Sequence, residues 1–342
     1  MKIGLFFGTF DPVHKAHIEA AKAALSAYGL DKVCFIPSGM PVEHSQKHPE
    51  TLPIHRYNML KLAVNGEQNL TVSDIETKSK KPMYTVETIR EFKELYPDAE
   101  LYLLAGHDTA AKMTSWQGYE EIKQNAQIIT FARIDEISSS HIRDELKQNG
   151  SSTDITEPVA AYILGYALYQ NDLSYDIIKK RLKAELDEHR YIHSLGVADT
   201  AKDMAEKLGE NPEKAYRAGL LHDVGKPYSG ALRHAPYGRK IAEEYYGEND
   251  EDILNSVENH TLGRIGMSLL EKIIFVADFI EPGREFPDYP GLADLRDMAR
   301  KDIDNALLES YFAEFGYLAR TGREIDARAL EVYNYYRGQT HG

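Results

Sequence analysis

The hydrophobic pattern of this 342-residue chain changes character about half-way along. In the first half, short apolar runs alternate with segments of helical periodicity, whereas from Ser174 onward the periodicity is almost entirely helical. Alternating strands and helices predict a parallel, Rossmann-like α/β sheet, and the continuous helical pattern predicts an all-α domain. Because the length exceeds that of a typical single core, we expect two domains, residues 1–171 and 172–342.

Apolar runs and periodic segments predict the individual elements of the first half. The predicted strands are residues 2–7, 33–36, 70–75, 101–104 and 126–131. The predicted helices between them are residues 14–27, 54–64 and 85–95.

Charge, apolar length and cysteine content exclude several classes of protein. A net charge of −14 argues against nucleic acid as the main partner, because binding a polyanion needs a basic surface. The longest apolar stretches, such as residues 273–277, are far shorter than a membrane span. The single cysteine, Cys34, leaves no internal disulfide and indicates a reducing cytoplasm, where we expect the protein to be located. The oligomeric state stays open, a homo-oligomer included.

The first chemical motif directly follows the first predicted strand. It reads Gly-Thr-Phe-Asp-Pro-Val-His-x-x-His from Gly8 to His17. Gly8 permits close approach of the backbone to a ligand, and the start of the next helix supplies free N–H groups for a phosphate. His14 and His17 share one face of the first helical turn, where both can donate hydrogen bonds to phosphoryl oxygens. Each histidine taken alone is equally explained as an ordinary helix-surface or capping residue.

A second candidate phosphate site lies at residues 137–143. Three serines stand at the start of an amphipathic helix, and Arg143 follows in its first turns. A plain serine N-cap is the simpler interpretation. In the functional interpretation, this helix start faces a triphosphate and Arg143 is a charged clamp.

Together these motifs resemble the bacterial nicotinate-nucleotide adenylyltransferases of the HxGH nucleotidyltransferase superfamily. The segments that carry the resemblance are residues 8–17, 55–60, 84–88, 106–108, 116, 137–143 and 159–163. It implies transfer of the adenylyl group from ATP to nicotinate mononucleotide, with pyrophosphate leaving together with Mg²⁺ and no covalent intermediate.

The resemblance also implies roles for individual residues. Those implied for catalysis are His14, His17 and Arg143. Those implied for binding ATP and the acceptor are Gly8, Thr9, Phe10, Thr85, Gly106, Asp108, Trp116 and Ser139. Within this set, Gly106 and Asp108 would contact the adenosine, and Thr85 and Trp116 the pyridine ring.

The first half also departs from the family pattern. Ala16 stands where the family has the glycine of HxGH, and Phe7 stands where it has the first of two glycines. Residues 41–44 lack the usual lysine, and only three residues separate Arg133 from Ile137, where the family carries a longer segment. These departures leave two alternatives open: a nucleotide-binding regulatory module, or an adenylyltransferase for another acceptor.

The helical half carries histidines and aspartates on the apolar faces of several predicted helices. His193, His260 and Asp278 each share a stripe with aliphatic residues, and the doublet His222-Asp223 closes another apolar helix. A carboxylate in such a stripe is unfavourable unless it is paired or bound to metal. Imidazole and carboxylate ligands without thiolate favour iron, manganese, zinc or magnesium. Two metals that share Asp223 would activate a bridging water against a phosphoanhydride.

This pattern resembles the HD metal-dependent phosphohydrolase superfamily, and in particular the bacterial HD-domain symmetrical diadenosine-tetraphosphate hydrolases. The resemblance covers residues 174–337 and implies cleavage of the substrate into two ADP by a di-iron centre. The implied metal ligands are His193, His222, Asp223, His234, His260 and Asp278. The implied phosphate contacts are Lys226, Arg264 and Arg284, and for each of them a solvated surface charge is an equal alternative.

The substrate of the helical half stays open at this stage. The segment between Asp223 and His234 is short for the family, so the loop that would cover a long polyphosphate is trimmed. Another nucleotide, such as a cyclic dinucleotide or a deoxynucleoside triphosphate, is the alternative substrate. The sequence therefore predicts a bifunctional enzyme with two separate phosphate chemistries.

Overall fold

The computed structural model describes residues 1–41, 48–131, 137–170, 172, 174–229, 233–284 and 289–340. The chain divides into two compact units, Met1–Asn171 and Asp172–Gly342. Among the described residues, no helix combines the length and the apolar character needed to cross a membrane.

The first unit is built on a parallel sheet, as predicted. Its strands within the described ranges are β1 (Lys2–Gly8), β2 (Lys32–Pro37), β3 (Leu70–Val72), β4 (Glu100–Gly106) and β5 (Ala126–Phe131). Their order is β3-β2-β1-β4-β5, and every neighbouring pair is parallel. From β1 the chain adds β2 and β3 on one side of the sheet, and then β4 and β5 on the other. The crevice between β1 and β4, where this order reverses, is the place where open α/β sheets bind ligands.

Helices connect these strands. They are α1 (Lys15–Tyr28), α2 (Pro53–Ala63), α3 (Thr85–Leu95), α4 (His107–Ala110), α5 (Tyr119–Asn125), α6 (Ser139–Asn149) and α7 (Glu157–Gly165). The Oγ of Ser138 accepts a hydrogen bond from the N–H of His141 at 3.2 Å, so a serine does cap α6.

One predicted element is longer than the observed one. The strand predicted over residues 70–75 ends at Val72. The N–H of Ile75 donates to the Oγ of Ser73, and the N–H of Lys78 donates to the carbonyl of Asp74. Serine and aspartate favour such local turns over a strand ladder, which explains the early end.

The second unit is helical throughout the part that the structure describes. Its helices are α8 (Tyr175–Glu185), α9 (Glu188–Leu208), α10 (Pro212–Leu221), α11 (His234–Glu244), α12 (Glu251–Asn259), α13 (Leu269–Ile280), α14 (Leu292–Met298), α15 (Ile303–Arg320) and α16 (Ala327–Thr340). The predicted apolar face of α9 is buried at Val197, Ala201 and Met204. This face anchors α9 in the core and holds the rest of the helix in a defined orientation.

Candidate functional site

A cavity of about 850 Å³ opens at the carboxyl ends of β1 and β4. The predicted site residues that line it are Gly8, Thr9, Phe10, His14, His17, Thr85, Gly106, Asp108, Trp116 and Ser139. A volume of this size is typical of small-molecule sites. The fold therefore gathers residues far apart in sequence around one cavity.

Phe10 supports the floor of this cavity. Its φ of 55° lies in the left-handed region, which non-glycine residues rarely adopt. A Cβ on Gly8 would approach the Phe10 ring to 2.6 Å, so glycine at position 8 allows this packing. The buried ring meets the imidazole of His17 edge-on, with centroids 4.9 Å apart. Backbone strain of this kind concentrates at functional sites, and here it orients a candidate catalytic side chain.

His14 and His17 form a stacked pair at the start of α1, with ring centroids 3.7 Å apart. The backbone N–H of His14 donates to Nδ1 of His17 at 3.3 Å. Because Nδ1 accepts, the proton of a neutral His17 ring lies on Nε2. Burial, reinforced by the neighbouring His14, lowers the pKa of His17 well below its usual range. His17 is therefore a neutral hydrogen-bond donor.

Ser139 and Arg143 turn their polar groups towards the connection between β1 and α1. The Oγ of Ser139 donates to the carbonyl of Pro12 at 2.9 Å. Nη1 of Arg143 donates to the carbonyl of Asp11 at 2.7 Å, and Nε donates to Oε1 of Glu50 at 2.8 Å. Arg143 is not among the described residues that line the cavity. The structure thus links α6 to the histidine-bearing connection, which the sequence motif does not reveal.

The family departures of the first half lie partly within the described residues. Ala16 lines the cavity, so its methyl group contributes to the wall. The change at residues 42–44 and the short segment 134–136 lie outside the described residues.

The second unit brings the six predicted metal ligands together. His193 lies on α9, Asp278 lies on α13, and His234 begins α11. His222 and His260 directly follow the last residues of α10 and α12. The Nε2 atoms of His193 and His222 are 3.3 Å apart, and those of His234 and His260 are 3.0 Å apart. Two imidazole lone pairs at such distances repel each other unless a proton or a cation lies between them.

Asp223 lies between the two histidine pairs. Its Oδ2 is 3.7 Å from Nε2 of His222, and its Oδ1 is 3.4 Å from Nε2 of both His234 and His260. Oδ1 is buried and finds no hydrogen-bond partner among the described residues. Burying a carboxylate oxygen in this way is unfavourable unless a cation compensates it. Asp223 is thus within reach of both histidine pairs, as a ligand shared by two metal ions would be, and Nζ of Lys226 is 3.6 Å from its Oδ1.

Two overlapping sets of donor atoms are close enough to hold metal. One set is His193, His222 and Asp278, and the other is His222, Asp223 and His260, with all donor atoms of a set within 4.8 Å of one another. The residues present thus fit a dinuclear centre.

Hydrogen bonds at Nδ1 determine the tautomer of two of the predicted ligand histidines. Nδ1 of His222 is 2.7 Å from the carbonyl of Gly219, and Nδ1 of His260 is 2.7 Å from the carbonyl of Val257. A carbonyl only accepts, so each Nδ1 carries the proton and each Nε2 presents its lone pair inward. Burial lowers the pKa of His222 to about 4, which keeps this ring neutral.

Glu281 contacts Nδ1 of His193 in the same way and thereby directs its Nε2 lone pair inward. Its buried Oε1 lies 3.1 Å from Nδ1 of His193, and its Oε2 accepts the N–H of Gly283 at 2.6 Å. A Cβ on Gly196 would come within 2.5 Å of Oε2, so glycine at this position makes room for the carboxylate. The motif contains Glu281, but its helical spacing from Asp278 is the only sequence signal for this contact.

Changing Glu281 to Gln is expected to lower metal affinity about 10- to 100-fold, the usual effect of losing such an outer-shell carboxylate. The amide keeps the shape of the side chain but removes the negative charge that makes the imidazole of His193 a stronger metal ligand. Metal content after dialysis against a graded chelator measures the effect. The control is Glu309→Gln, because the carboxylate of Glu309 accepts a hydrogen bond from the hydroxyl of Tyr289 and not from a histidine of the cluster. Equal metal retention in the two variants would contradict the assignment.

A second cavity, of about 600 Å³, opens onto this cluster. The residues that line it are Asp187, His189, Arg190, His193, Asp223, Lys226, Glu281, Gly283 and Arg284. The motifs did not lead us to assign Asp187, His189 or Arg190. His189 and Arg190 precede His193 by four and three residues, a spacing that places them on its side of α9, whereas Asp187 caps the start of this helix.

Two of the predicted phosphate contacts stand beside the cluster. Nζ of Lys226 is 3.6 Å from Oδ1 of Asp223. Nη2 of Arg284 donates to Oδ1 of Asp278 at 2.8 Å, and Nε donates to the carbonyl of the same residue. Both cations therefore face the cavity where an anionic substrate would enter.

Arg264, the third predicted phosphate contact, lies apart from the described lining of this cavity. Its guanidinium binds both carboxylate oxygens of the buried Glu271 at 2.7 Å. This bidentate pair gives the guanidinium of Arg264 a charged partner within the helical unit, so a structural role explains its presence.

Arg264→Met and Arg284→Met are expected to have opposite consequences. Arg264→Met should lower the melting temperature by several degrees, because the buried Glu271 loses its charged partner, and leave KM for hydrolysis within about twofold. Arg284→Met should raise KM about tenfold, the equivalent of one charge-assisted hydrogen bond. Steady-state kinetics and thermal unfolding of both variants check this. A larger KM change in Arg264→Met would contradict it.

Two family models match the chain, one in each unit. Residues 5–157 match the cytidylyltransferase-like family, and residues 190–283 match the HD domain. Together with the two His/Asp donor sets, the HD domain indicates that the second unit binds divalent metal.

Curated relatives agree with this division. A Mycoplasma genitalium protein, named as a probable nicotinate-nucleotide adenylyltransferase/Ap4A hydrolase, is 26% identical over 93% of this chain and 97% of its own length. The probable nicotinate-nucleotide adenylyltransferase of Maridesulfovibrio salexigens is 35% identical, over 64% of this chain and 100% of its own length. The symmetrical bis(5'-nucleosyl)-tetraphosphatase of Bacillus subtilis is 35% identical, over 45% of this chain and 92% of its own length. The chain therefore belongs to the nicotinate-nucleotide adenylyltransferase family in its first part and to the HD-domain symmetrical bis(5'-nucleosyl)-tetraphosphatase family in its second.

Proposed function

We propose that the chain is a bifunctional enzyme of nucleotide metabolism. The first unit transfers the adenylyl group of ATP to nicotinate mononucleotide, which yields deamido-NAD and pyrophosphate. The second unit hydrolyses diadenosine tetraphosphate into two ADP. The observation that carries this proposal is the Mycoplasma genitalium relative, whose name joins both activities and whose match covers 93% of this chain. The single cysteine suits a cytoplasmic location for both reactions.

Adenylyl transfer requires the first unit to position two anions. The phosphate of the mononucleotide attacks the α-phosphorus of ATP, so the protein supplies orientation and charge stabilisation rather than a nucleophile. His17 suits this task, because it lines the cavity and its neutral ring carries the proton on Nε2. A donor fixed in advance costs no reorganisation when charge develops on the phosphoryl oxygens. Mg²⁺ that arrives with ATP would neutralise the leaving pyrophosphate.

The remaining lining residues suit the two nucleosides. Gly106 ends β4 and Asp108 follows it in α4, where they would receive the adenosine. Thr85 is the first residue of α3, and a helix start favours an anion such as the carboxylate of nicotinate. Trp116 offers a flat ring on which a pyridine can stack.

A regulatory module without catalysis, or a different acceptor, is not favoured. The Maridesulfovibrio salexigens relative is matched over its whole length and carries the adenylyltransferase name. Ala16 adds a methyl group to the cavity wall, yet the cavity retains about 850 Å³.

The rate of adenylyl transfer is expected to show no histidine inflection near pH 6.5, the usual pKa of this side chain. The lowered pKa keeps His17 neutral at this pH. Protonation of Nδ1 would place its N–H opposite the backbone N–H of His14, and two donors cannot form a hydrogen bond with each other. Activity should therefore fall only at more acidic pH. The measurement is kcat from about pH 5 to pH 8. An inflection near pH 6.5 that disappears in His17→Gln would contradict this expectation.

The second unit suits metal-assisted hydrolysis of a phosphoanhydride. We propose iron at both positions, because the resemblance to the symmetrical diadenosine-tetraphosphate hydrolases implies a di-iron centre and the donor set of imidazoles and carboxylates without thiolate suits iron. The ions, when bound, would supply Lewis acidity and lower the pKa of a water. Asp223 would be a ligand in common to the two histidine pairs. Lys226 and Arg284 would bind the polyphosphate chain and orient it for attack. Arg190 adds a third cation to the lining, paired with Asp187.

A chromatographic assay of one preparation tests both activities. ATP with nicotinate mononucleotide should yield deamido-NAD, and diadenosine tetraphosphate should yield two ADP and nothing else. Formation of ATP and AMP from diadenosine tetraphosphate would overturn the symmetrical assignment. Absence of cleavage, with turnover of a cyclic dinucleotide or a deoxynucleoside triphosphate, would overturn the substrate.

A further inference from the structure

Asp11 is a buried carboxylate in the middle of the connection between β1 and α1 that carries His14. Its exposed fraction is 2%. Oδ1 accepts hydrogen bonds from the hydroxyls of Thr51 at 2.6 Å and Tyr169 at 2.9 Å. Oδ2 accepts the backbone N–H of Glu50 at 2.6 Å. Three donors from two separate segments, residues 50–51 and Tyr169, thus fix the side chain of Asp11.

The donors keep their direction because Tyr169 stays protonated. Burial, and then the charge of Asp11, raise the pKa of Tyr169 well above its usual range. Its hydroxyl therefore remains a donor to the carboxylate, and the connection between β1 and α1 is tied to the end of the first unit.

The backbone of the same connection receives α6. The carbonyl of Asp11 accepts from Nη1 of Arg143, and the carbonyl of Pro12 accepts from the hydroxyl of Ser139. Ser139 lines the cavity, as does His14 three residues after Asp11. Asp11 is therefore the point at which the histidine side and the helix α6 side of the cavity meet.

Glu50 closes this arrangement into a ring. Its N–H is held by Asp11, and its Oε1 accepts from Nε of Arg143 at 2.8 Å. Its Oε2 contacts Nζ of Lys147 at 2.7 Å. With Nε and Nη1 both engaged, the guanidinium plane of Arg143 cannot rotate freely. The backbone carbonyl of Asp11 makes one of these bonds, and the carboxylate of Asp11 acts on the other by holding the backbone N–H of Glu50.

A purely stabilising role does not require a carboxylate here. Well-packed apolar residues can replace buried charged groups without loss of stability, whereas a charged group fixes one arrangement of its partners. Here the partners link Arg143 to the connection that carries His14.

We propose that Asp11 is a positioning residue for adenylyl transfer, which sets the guanidinium of Arg143 against the His14/His17 pair for a nucleoside triphosphate. This inference rests on the adenylyl transfer proposed above. Asp11 itself does not touch the substrate and acts through Glu50 and Arg143. It therefore affects ATP binding and turnover, and leaves the affinity for the mononucleotide nearly unchanged.

The first test compares Asp11→Leu with the conservative Asp11→Asn. The amide oxygen of asparagine can accept from the N–H of Glu50, and its NH₂ group can donate to the hydroxyl oxygens. Asp11→Asn should retain transfer within about threefold, whereas Asp11→Leu should lower kcat about 100-fold, the scale of a small misplacement in an active site. KM for ATP should rise about tenfold while KM for the mononucleotide changes less than twofold. A lower melting temperature with unchanged KM and kcat would overturn the proposal.

The second test covers the case in which Asp11→Leu does not fold. Glu50→Ala removes the carboxylate from both Arg143 and Lys147, and Lys147→Met removes only the second contact. Calorimetric binding of α,β-methylene-ATP should weaken about tenfold in Glu50→Ala and less than twofold in Lys147→Met. Tighter binding in Glu50→Ala, or equal effects of the two changes, would overturn the proposal.

The same assay separates this inference from the proposed function. Hydrolysis of diadenosine tetraphosphate by the second unit of each variant reports that the chain is intact. If the wild-type chain binds the ATP analogue but forms no dinucleotide with nicotinate mononucleotide, the proposed acceptor is wrong. The comparison of Glu50→Ala with Lys147→Met still decides the role of Asp11 in that case.

Discussion

Replacing Asp223 by alanine is expected to reduce hydrolysis of diadenosine tetraphosphate by at least about 1,000-fold while adenylyl transfer continues. Metal ions contribute several kcal/mol to such a reaction, and each 1.36 kcal/mol is a factor of ten in rate. Asp223 faces both histidine pairs, with Oδ2 towards His222 and Oδ1 towards His234 and His260. In the proposed dinuclear centre, losing it removes a ligand from both metal positions at once. Steady-state rates and metal content of the purified variant measure the effect.

A matched control lies on the same unit. Asp203→Asn changes a carboxylate that is paired with Arg300, away from the cluster, and should alter neither rate nor metal content. Added metal should also raise the melting temperature of the wild type and of Asp203→Asn much more than that of Asp223→Ala, since binding to the folded state stabilises it. Full metal content in Asp223→Ala would refute the ligand assignment.

Replacing His17 by alanine is expected to lower kcat for adenylyl transfer about 100- to 1,000-fold, the range for losing one preorganised donor to a developing anion. The ring is neutral and donates from Nε2, so its value lies in the donor rather than in a positive charge. His17→Gln, whose amide nitrogen can occupy a similar position, should recover part of the rate. Initial rates of dinucleotide formation check both variants.

Two comparisons keep this prediction specific. His141→Ala removes an exposed histidine of α6 that contacts Glu145, and should leave transfer unchanged. Hydrolysis by the second unit should be equal in all three variants. If His17→Ala retains transfer within tenfold of the wild type, the first unit uses another group for charge stabilisation.

Much of the fold follows from local patterns. Strand β5 and helix α3 have the predicted bounds, and β1, β2 and β4 differ from prediction by one to two residues at an end. Strands β1, β2 and β4 are buried on both faces over most of their length, so their apolar runs are clear. Strand β3 is shorter than predicted, because turn bonds at Ser73 and Asp74 compete with an edge strand.

The sequence also predicted most residues of both candidate sites, but it did not predict how they are arranged. Helical stripes placed His193, His260 and Asp278 inward, because periodicity determines which face of a helix is buried. Periodicity does not tell which oxygen of Asp223 faces which histidine, or that Glu281 supports His193. Those contacts join helices far apart in sequence.

Charged residues show the limit of sequence most clearly. Arg264 and Arg284 both follow a metal-site motif, yet one binds Glu271 and the other binds Asp278. Arg143 follows a serine-rich helix start, and its guanidinium is held by residues from two other segments. The sequence by itself determined the two folds and the order of the two chemistries, and it predicted most of the residues that the structure gathers at the two candidate sites. Only the tertiary structure decided which partner each long charged side chain takes, because that choice depends on distances between segments and not on local periodicity.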